Sequence, residues 1–315
     1  MDSVRTLLTE IVDYAGLFPP AGLGMAEAVS GYDAARRGAY SWMLGRFVCP
    51  LRRIEEFEDA AYGLLPREAG EEAWRVSALV DGGKLEEEID AIFAFNSAHE
   101  EGELPGRVAI DAIEVKVPGA NADGARFVDE AMRLVPEQLD ASFELPLGYD
   151  LRGLVAALAG SGGRAKVRTG GVTADLVPSA EAVAEFVVLC AQGDVGFKAT
   201  AGLHEALRGE RALTYAEDAP RSVMHGFLNV FLMAAFVKRG RMEVGRAVEV
   251  LEERSGDGFV FADGGVEWNG RRLTTAQLAS ARESFATSFG SCSFDEPVES
   301  LKAIGLLPIG EEAAG

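Results

Sequence analysis

Along most of this chain, short apolar runs alternate with longer amphipathic stretches, and that rhythm limits the fold more than any other feature. "WMLGRFVCP" (42–50) reads as a strand, followed by the helix-like "LRRIEEFEDAAYGLL". "WRVSALVDGG" (74–83), "DAIEVKVPG" (111–119) and "DASFELPLG" (140–148) repeat the pattern, each ahead of a helical stretch. "RAKVRTGG" and "DVGFKATAGL" follow as the fifth and sixth strands, and "SAEAVAEFVVLCAQG" between them opens on a serine cap. Strand, helix, strand at this spacing is the signature of βαβ units in a parallel sheet. No G-x-G-x-x-G opens a helix after the first strand, and no P-loop pattern occurs. Many consecutive units with polar residues at the strand C-termini therefore favour an α/β fold of the (β/α)8 TIM-barrel class over an open sheet.

A chain of 315 residues suits one such barrel, and a single domain over 1–315 is expected. Residues 203–285 read as an elaborated seventh βα unit. Within them "GFVFADGGVEWNGRRL" reads as a small β-hairpin with a turn at Asn269-Gly270. "FATSFGSCSFDEP" (285–297) then supplies the eighth strand and its loop, and the terminal "EEAAG" a frayed tail.

The formal charge of −20 argues against a general nucleic-acid binder and against a protein of anionic membranes. It does not exclude a local basic pocket. Three cysteines without C-x-x-C spacing and three histidines give neither a structural zinc site nor a disulfide framework. The N-terminus is too polar for a signal peptide. The longest uncharged apolar run, "SVMHGFLNVFLMAAFV" (222–237), is short for a membrane span and contains His and Asn, so it reads as a buried element. A cytoplasmic protein is expected, with no nucleic-acid or membrane partner, no cofactor and no metal. A homodimer is left open.

Two lysines stand where core strands usually carry Val or Ile. Side chains alternate along a strand, so Lys166 shares a face with Arg168, Glu114 shares one with Lys116, and Lys198 lies opposite Phe197. Glu144 sits between apolar neighbours. If these are barrel strands, charges from consecutive strands converge on one interior. A buried unpaired charge is costly, so they must pair with one another near the open mouth, where active sites of this fold sit. Burial and a neighbouring cation both lower a lysine pKa. The neutral amine can then form a Schiff base with an aldehyde or ketone, with carboxylates beside it to move protons.

These residues resemble deoxyribose-phosphate aldolase, a lysine-dependent class I aldolase on a (β/α)8 barrel. The family's K-T-S-T-G finds "KVRTG" (166–170), its G-x-K-x-x-G-G finds "GFKATAG" (196–202), and its F-G-A-S-S finds "FGSCS" (289–293). Its opening D-H-T-L-L-x-P-x-A finds "DYAGLFPPA" (13–21), its D-V-V-x-P finds "EVKVP" (114–118), and its fourth-strand glutamate finds Glu144. The resemblance implies that Lys166 forms the Schiff base and that Lys198 lowers its pKa and relays protons. Glu114 stands where the family has a catalytic aspartate, and Asp13 where it has another network carboxylate. The glycine-rich turns imply substrate contacts at Gly170, Gly171, Ala201, Gly202, Gly290, Cys292 and Ser293. The family's double glycine is Ala201-Gly202 here, and Arg168 and Lys116 are additional cations. With His204 in the loop after Lys198, they predict a small anionic carbonyl substrate, phosphorylated or carboxylated, because Arg168 can hold such a group bidentately.

The resulting expectation is a metal-independent, aldolase-like carbon–carbon lyase. A non-imine enzyme on the same barrel would instead bind an anion through Arg168, Lys116 and Lys198 and use Glu114 or Glu144 as general base. A barrel that retains the charges only as an ion-pair network would be a binding or scaffold protein. "LFPPAG" (17–22) reads as a rigid turn that either ends the first element or lines the mouth. His225 reads as a buried histidine, Asn229 as either a pocket donor or a core amide, and Cys292 as a small packing residue.

Overall fold

The computed structural model describes residues 1–67, 71–101, 107–240 and 242–309, and the terminal "EEAAG" lies outside the described residues. Eight parallel strands close into a barrel. They are β1 (Val12–Tyr14), β2 (Leu44–Pro50), β3 (Trp74–Val80), β4 (Val108–Lys116), β5 (Asp140–Glu144), β6 (Arg164–Arg168), β7 (Phe197–Thr200) and, last in sequence, β13 (Ala286–Ser291). Each of β1 to β6 runs beside the next, and β13 fits between β7 and β1 to complete the ring. The strand count moves by one from the sequence reading. The barrel begins at Val12–Tyr14, so the two lysine strands are its sixth and seventh.

Helices α1 (Asp2–Leu8), α2 (Met25–Arg37), α3 (Ile54–Ala61), α4 (Leu85–Glu101), α5 (Ala122–Leu134), α6 (Arg152–Leu158) and α7 (Ala180–Gln192) precede or connect these strands. Local chemistry sets their starts. The Asn121 side chain accepts from Gly124 N–H at α5, and Ser179 accepts from Ala182 N–H at α7, the cap the sequence indicates. Outward-facing aromatics join the layers. Tyr32 of α2 meets Trp74 of β3 edge-on at 5.0 Å, and Phe186 of α7 meets Phe197 of β7 at 5.6 Å.

The long connection from β7 to β13 is the elaborated seventh unit. A two-stranded hairpin comes first, β8 (Gly209–Ala212) and β9 (Arg221–Met224). Helices α8 (Phe227–Gly240) and α9 (Val244–Leu251) follow, then a small antiparallel sheet of β10 (Val260–Ala262), β11 (Gly265–Trp268) and β12 (Arg271–Thr274). Helix α10 (Thr275–Ser284) leads into β13, and α11 (Asp295–Ala303) closes the chain. The β11–β12 turn is the expected one, with Asn269 and Gly270 both at positive φ, 46° and 71°. The apolar run at 222–237 is β9 leading into α8. Residues 227–237 are buried because α7, α9 and α10 cover the helix from outside and β13 lies beneath it. Phe227 stacks on Phe289 of β13 at 5.2 Å.

The N-terminal end of the barrel is tied by ion pairs. Arg46 reaches Asp111 at 2.6 Å and Asp140 at 2.9 Å; Arg75 holds Asp111, and Arg164 holds Asp140. No described helix is long and apolar enough to cross a membrane.

Candidate active site

Strand alternation and register bring the charged residues together. Lys166 on β6 lies directly opposite Lys198 on β7, and Glu144 on β5 directly opposite Lys166. Their neighbours in sequence, Val167 and Phe197, point the other way into the helical layer, both fully buried. Lys166 Nζ lies 2.7 Å from Glu114 Oε2 and 2.8 Å from Glu144 Oε2. Lys198 Nζ lies 2.6 Å from Glu114 Oε1 and 2.7 Å from Asp13 Oδ2. Glu114 thus gives one carboxylate oxygen to each lysine. Ser77 Oγ donates to Glu114 and Ser288 Oγ to Asp13, and the Arg46 backbone N–H donates to the other Asp13 oxygen. Arg168 Nε stands 3.5 Å from Glu144 at the outer end. The result is an alternating chain, Arg168–Glu144–Lys166–Glu114–Lys198–Asp13, through the barrel interior.

Asp13, Glu114, Lys166 and Lys198 are each at most 5% exposed, so the pairing decides their charge. Burial alone would push Glu114 up, but Lys166 and Lys198 together hold its pKa well below the usual carboxylate range. Burial likewise opposes, and Lys198 and Arg46 outweigh it, in keeping Asp13 low. Glu144 is lowered against its burial by Lys166 and then Arg168. Lys198 runs the opposite way. Burial favours its neutral form, yet Asp13 and Glu114 raise its pKa above the ordinary lysine value. Lys198 is a firmly held ammonium, and the Glu114 carboxylate stands between it and Lys166.

At the C-terminal end of the strands this chain meets a cavity of about 250 Å³. Lys166, Glu114, Glu144 and Arg168 line it on one side; Phe18, Pro19, Val48 and Leu79 form apolar wall. The Pro-Pro turn therefore faces the mouth, while Asp13 sits deeper, beside a second cavity at the N-terminal face. Gly171, Ala201, His204, Gly290 and Cys292 line the mouth as well. Ala201 and Gly202 both have positive φ, 61° and 79°, so the alanine keeps a backbone form that glycine usually supplies. Gly170 packs against this turn so closely that a Cβ on it would fall 2.7 Å from Gly202 Cα. The Thr169 hydroxyl, donating to Ala201 O at 2.6 Å, fixes the two loops together.

Four expected substrate contacts lie elsewhere. Lys116 is at the end of β4 and exposed to solvent, outside the cavity lining. Gly170 is buried against the β7 turn instead of lining the cavity. The Ser293 hydroxyl accepts from Glu296 N–H at the start of α11, outside the lysine cavity. Gly202 lines an adjoining cavity rather than this one. His204 bridges the two spaces, with Nδ1 2.7 Å from Glu296. Cys292 is a buried free thiol with its pKa raised, chiefly by burial. His225 is buried, and burial followed by Arg208 pushes its pKa down to about 4. Asn229 is a core amide. It accepts from Arg208 N–H and donates to Val250 O and Glu253 O, joining α8 to the 205–208 loop and the end of α9.

Sequence reasoning missed Ser77 and Ser288, whose only signal is an isolated serine on the inward face of an apolar strand. It also missed Tyr215, carried by the β8–β9 connection with its hydroxyl 3.7 Å from Cys292 Sγ. Among the described residues, no group of three His, Cys, Asp or Glu side chains is arranged to hold a metal ion. Comparison of the chain with protein-family models, with curated proteins and with solved structures finds no match.

Proposed function

We propose that the protein is a carbon–carbon lyase of the class I aldolase kind, acting through a Schiff base on Lys166. The observation that carries this reading is Lys166 itself. It is a buried lysine that lines a cavity at the C-terminal mouth of a barrel, its Nζ held between two carboxylates. Glu144 lines the mouth and is less tightly enclosed than Glu114, so it is the carboxylate that exchanges protons with the substrate. Glu114 positions Lys166 and Lys198.

In the proposed sequence, Lys166 passes a proton to Glu144 and its free amine adds to the substrate carbonyl carbon. Glu144 returns the proton to the carbinolamine hydroxyl, which leaves as water and gives the iminium. The iminium accepts the electron pair of the adjacent C–C bond as a carboxylate removes the β-hydroxyl proton and the aldehyde fragment departs. The enamine left on Lys166 takes a proton at carbon, and water hydrolyses the resulting imine. Arg168, whose side chain is 46% exposed, holds the anionic group of a phosphorylated or carboxylated substrate.

A substitution that keeps the charge tests this directly. In a screen of phosphorylated and carboxylated aldehydes and ketones for aldol cleavage and addition, Lys166→Arg should lose activity by about 10⁴-fold or more. A non-imine enzyme that needs only the cation would keep most of its activity. The complete pairing of both lysines favours one further reading, an ion-pair network in a non-catalytic barrel. That reading requires that replacing Lys166 and Glu114 together by Met leave stability unchanged or raised and abolish no activity.

A further inference from the structure

The lysine cavity is the inner of two joined spaces. The outer one, also about 250 Å³, lies against the β8–β9 hairpin. Pro19, Gly171, Ala201 and His204 line both, so the spaces meet beyond the ends of β1, β6 and β7. The outer chamber owes its apolar wall largely to the inserted segment. Leu207 precedes the hairpin, Leu213 follows β8 and Met224 ends β9; all three are at most 9% exposed.

The basic side chains of this chamber stand beside carboxylates or are neutral, and Arg211 Nε makes no hydrogen bond among the described residues. Arg211 lies 3.3 Å from Glu205, and His204 lies 2.7 Å from Glu296. His225 donates from Nε2 to Pro178 O, so Nδ1 accepts from Arg208 and the ring is neutral. A phosphate or carboxylate placed there would meet the lining carboxylates Glu205 and Glu296 and compete with them for Arg211 and His204, whereas apolar surface placed there leaves water. Arg168, half-exposed and 3.5 Å from Glu144, belongs to the inner cavity.

We propose that the outer chamber is a substrate subsite for an uncharged, apolar chain or ring. The substrate is then an amphiphilic carbonyl compound. Its carbonyl and anionic group face Lys166 and Arg168, and a body of several carbons runs past His204 beneath the hairpin. The subsite rests on the assignment of the inner cavity as the reaction centre.

A homologous series of straight-chain 2-oxo acids, from three carbons to eight, tests the subsite. Borohydride trapping is measured against concentration in the wild type and in Met224→Trp, with Leu213→Trp as a second filling variant in case the first fails to fold. Apparent affinity should rise about fourfold per added methylene until the chamber is full. Either tryptophan should cancel that rise for the longer acids and leave trapping of the three-carbon acid as in the wild type. Equal affinity along the series, or a rise that survives both fillings, would overturn the subsite. Calorimetric titration of the same acids needs no imine and separates the two proposals. If no adduct forms, affinity that grows with length and collapses in the filled variants keeps the subsite while the Schiff base fails, and flat affinity removes it.

Discussion

Glu114 holds Lys166 on one oxygen and Lys198 on the other, so it is the residue whose loss the interior tolerates least. Glu114→Gln leaves two buried cations sharing a neutral amide, and should destabilise the fold by about 3–5 kcal/mol. The same change should alter the pH dependence of unfolding. Asp13, Glu114 and Glu144 ionise at lower pH in the fold than in the unfolded chain. Their contribution is complete above the ordinary carboxylate range, about pH 4, and is lost as pH falls through the lowered folded values. Lys198 is raised, so its contribution is complete below its ordinary value of 10.5 and is lost as pH rises through the folded one. Melting temperature measured against pH should therefore fall less steeply on acidification in Glu114→Gln than in the wild type. A parallel pair of curves would mean that Glu114 is not ionised in the fold. The lysines and the glutamates were legible as residues because inward-facing charge on a β-strand violates the expected pattern. Which carboxylate bridges the lysines was not legible. It depends on the relative height of β1, β4 and β7 around the ring, and no local sequence signal specifies that.

Elements with a strong period were readable from the chain, and those too short to show one were not. β1 is three residues with an aspartate at its centre, so Val12–Tyr14 presents neither alternation nor an apolar run. Its landmark was Asp13, not strand character. The β8–β9 hairpin pairs four-residue strands, "GERA" and "RSVM", that are mostly polar and half-buried. The apolar run at 222–237 was readable as buried, but its partners were not, because α9 and α10 cover it only after the chain has turned. Asn229 shows what that packing requires. Its amide meets three backbone groups inside the α8–α9 layer, so Asn229→Leu should strand them and lower stability by about 2–4 kcal/mol. Chemical denaturation reads this directly, and an unchanged midpoint would show that the amide contributes little to joining α8 to its neighbours.

At the scale of the whole molecule, the barrel is the reason the site exists. Consecutive βα units close eight strands, and closure turns one face of each into a shared interior. Ion pairs tie the N-terminal end, and the C-terminal end opens on the lysine cavity and its hairpin-walled extension. The chain of alternating charges spans the depth between them, from Arg168 at the mouth to Asp13 beside the lower cavity. Fold class was readable because it follows from repetition. The joined outer chamber was not, because it forms only where the inserted hairpin folds back over loops from β1, β6 and β7.

The account turns on which nitrogen meets the carbonyl carbon. Peptide mass mapping of the protein after incubation with a reactive carbonyl compound and borohydride answers that. The predicted result is a single reduced adduct on Lys166, absent in Lys166→Ala and retained in Lys198→Met. No adduct with any reactive carbonyl, or adducts confined to exposed lysines and unchanged in Lys166→Ala, would contradict it.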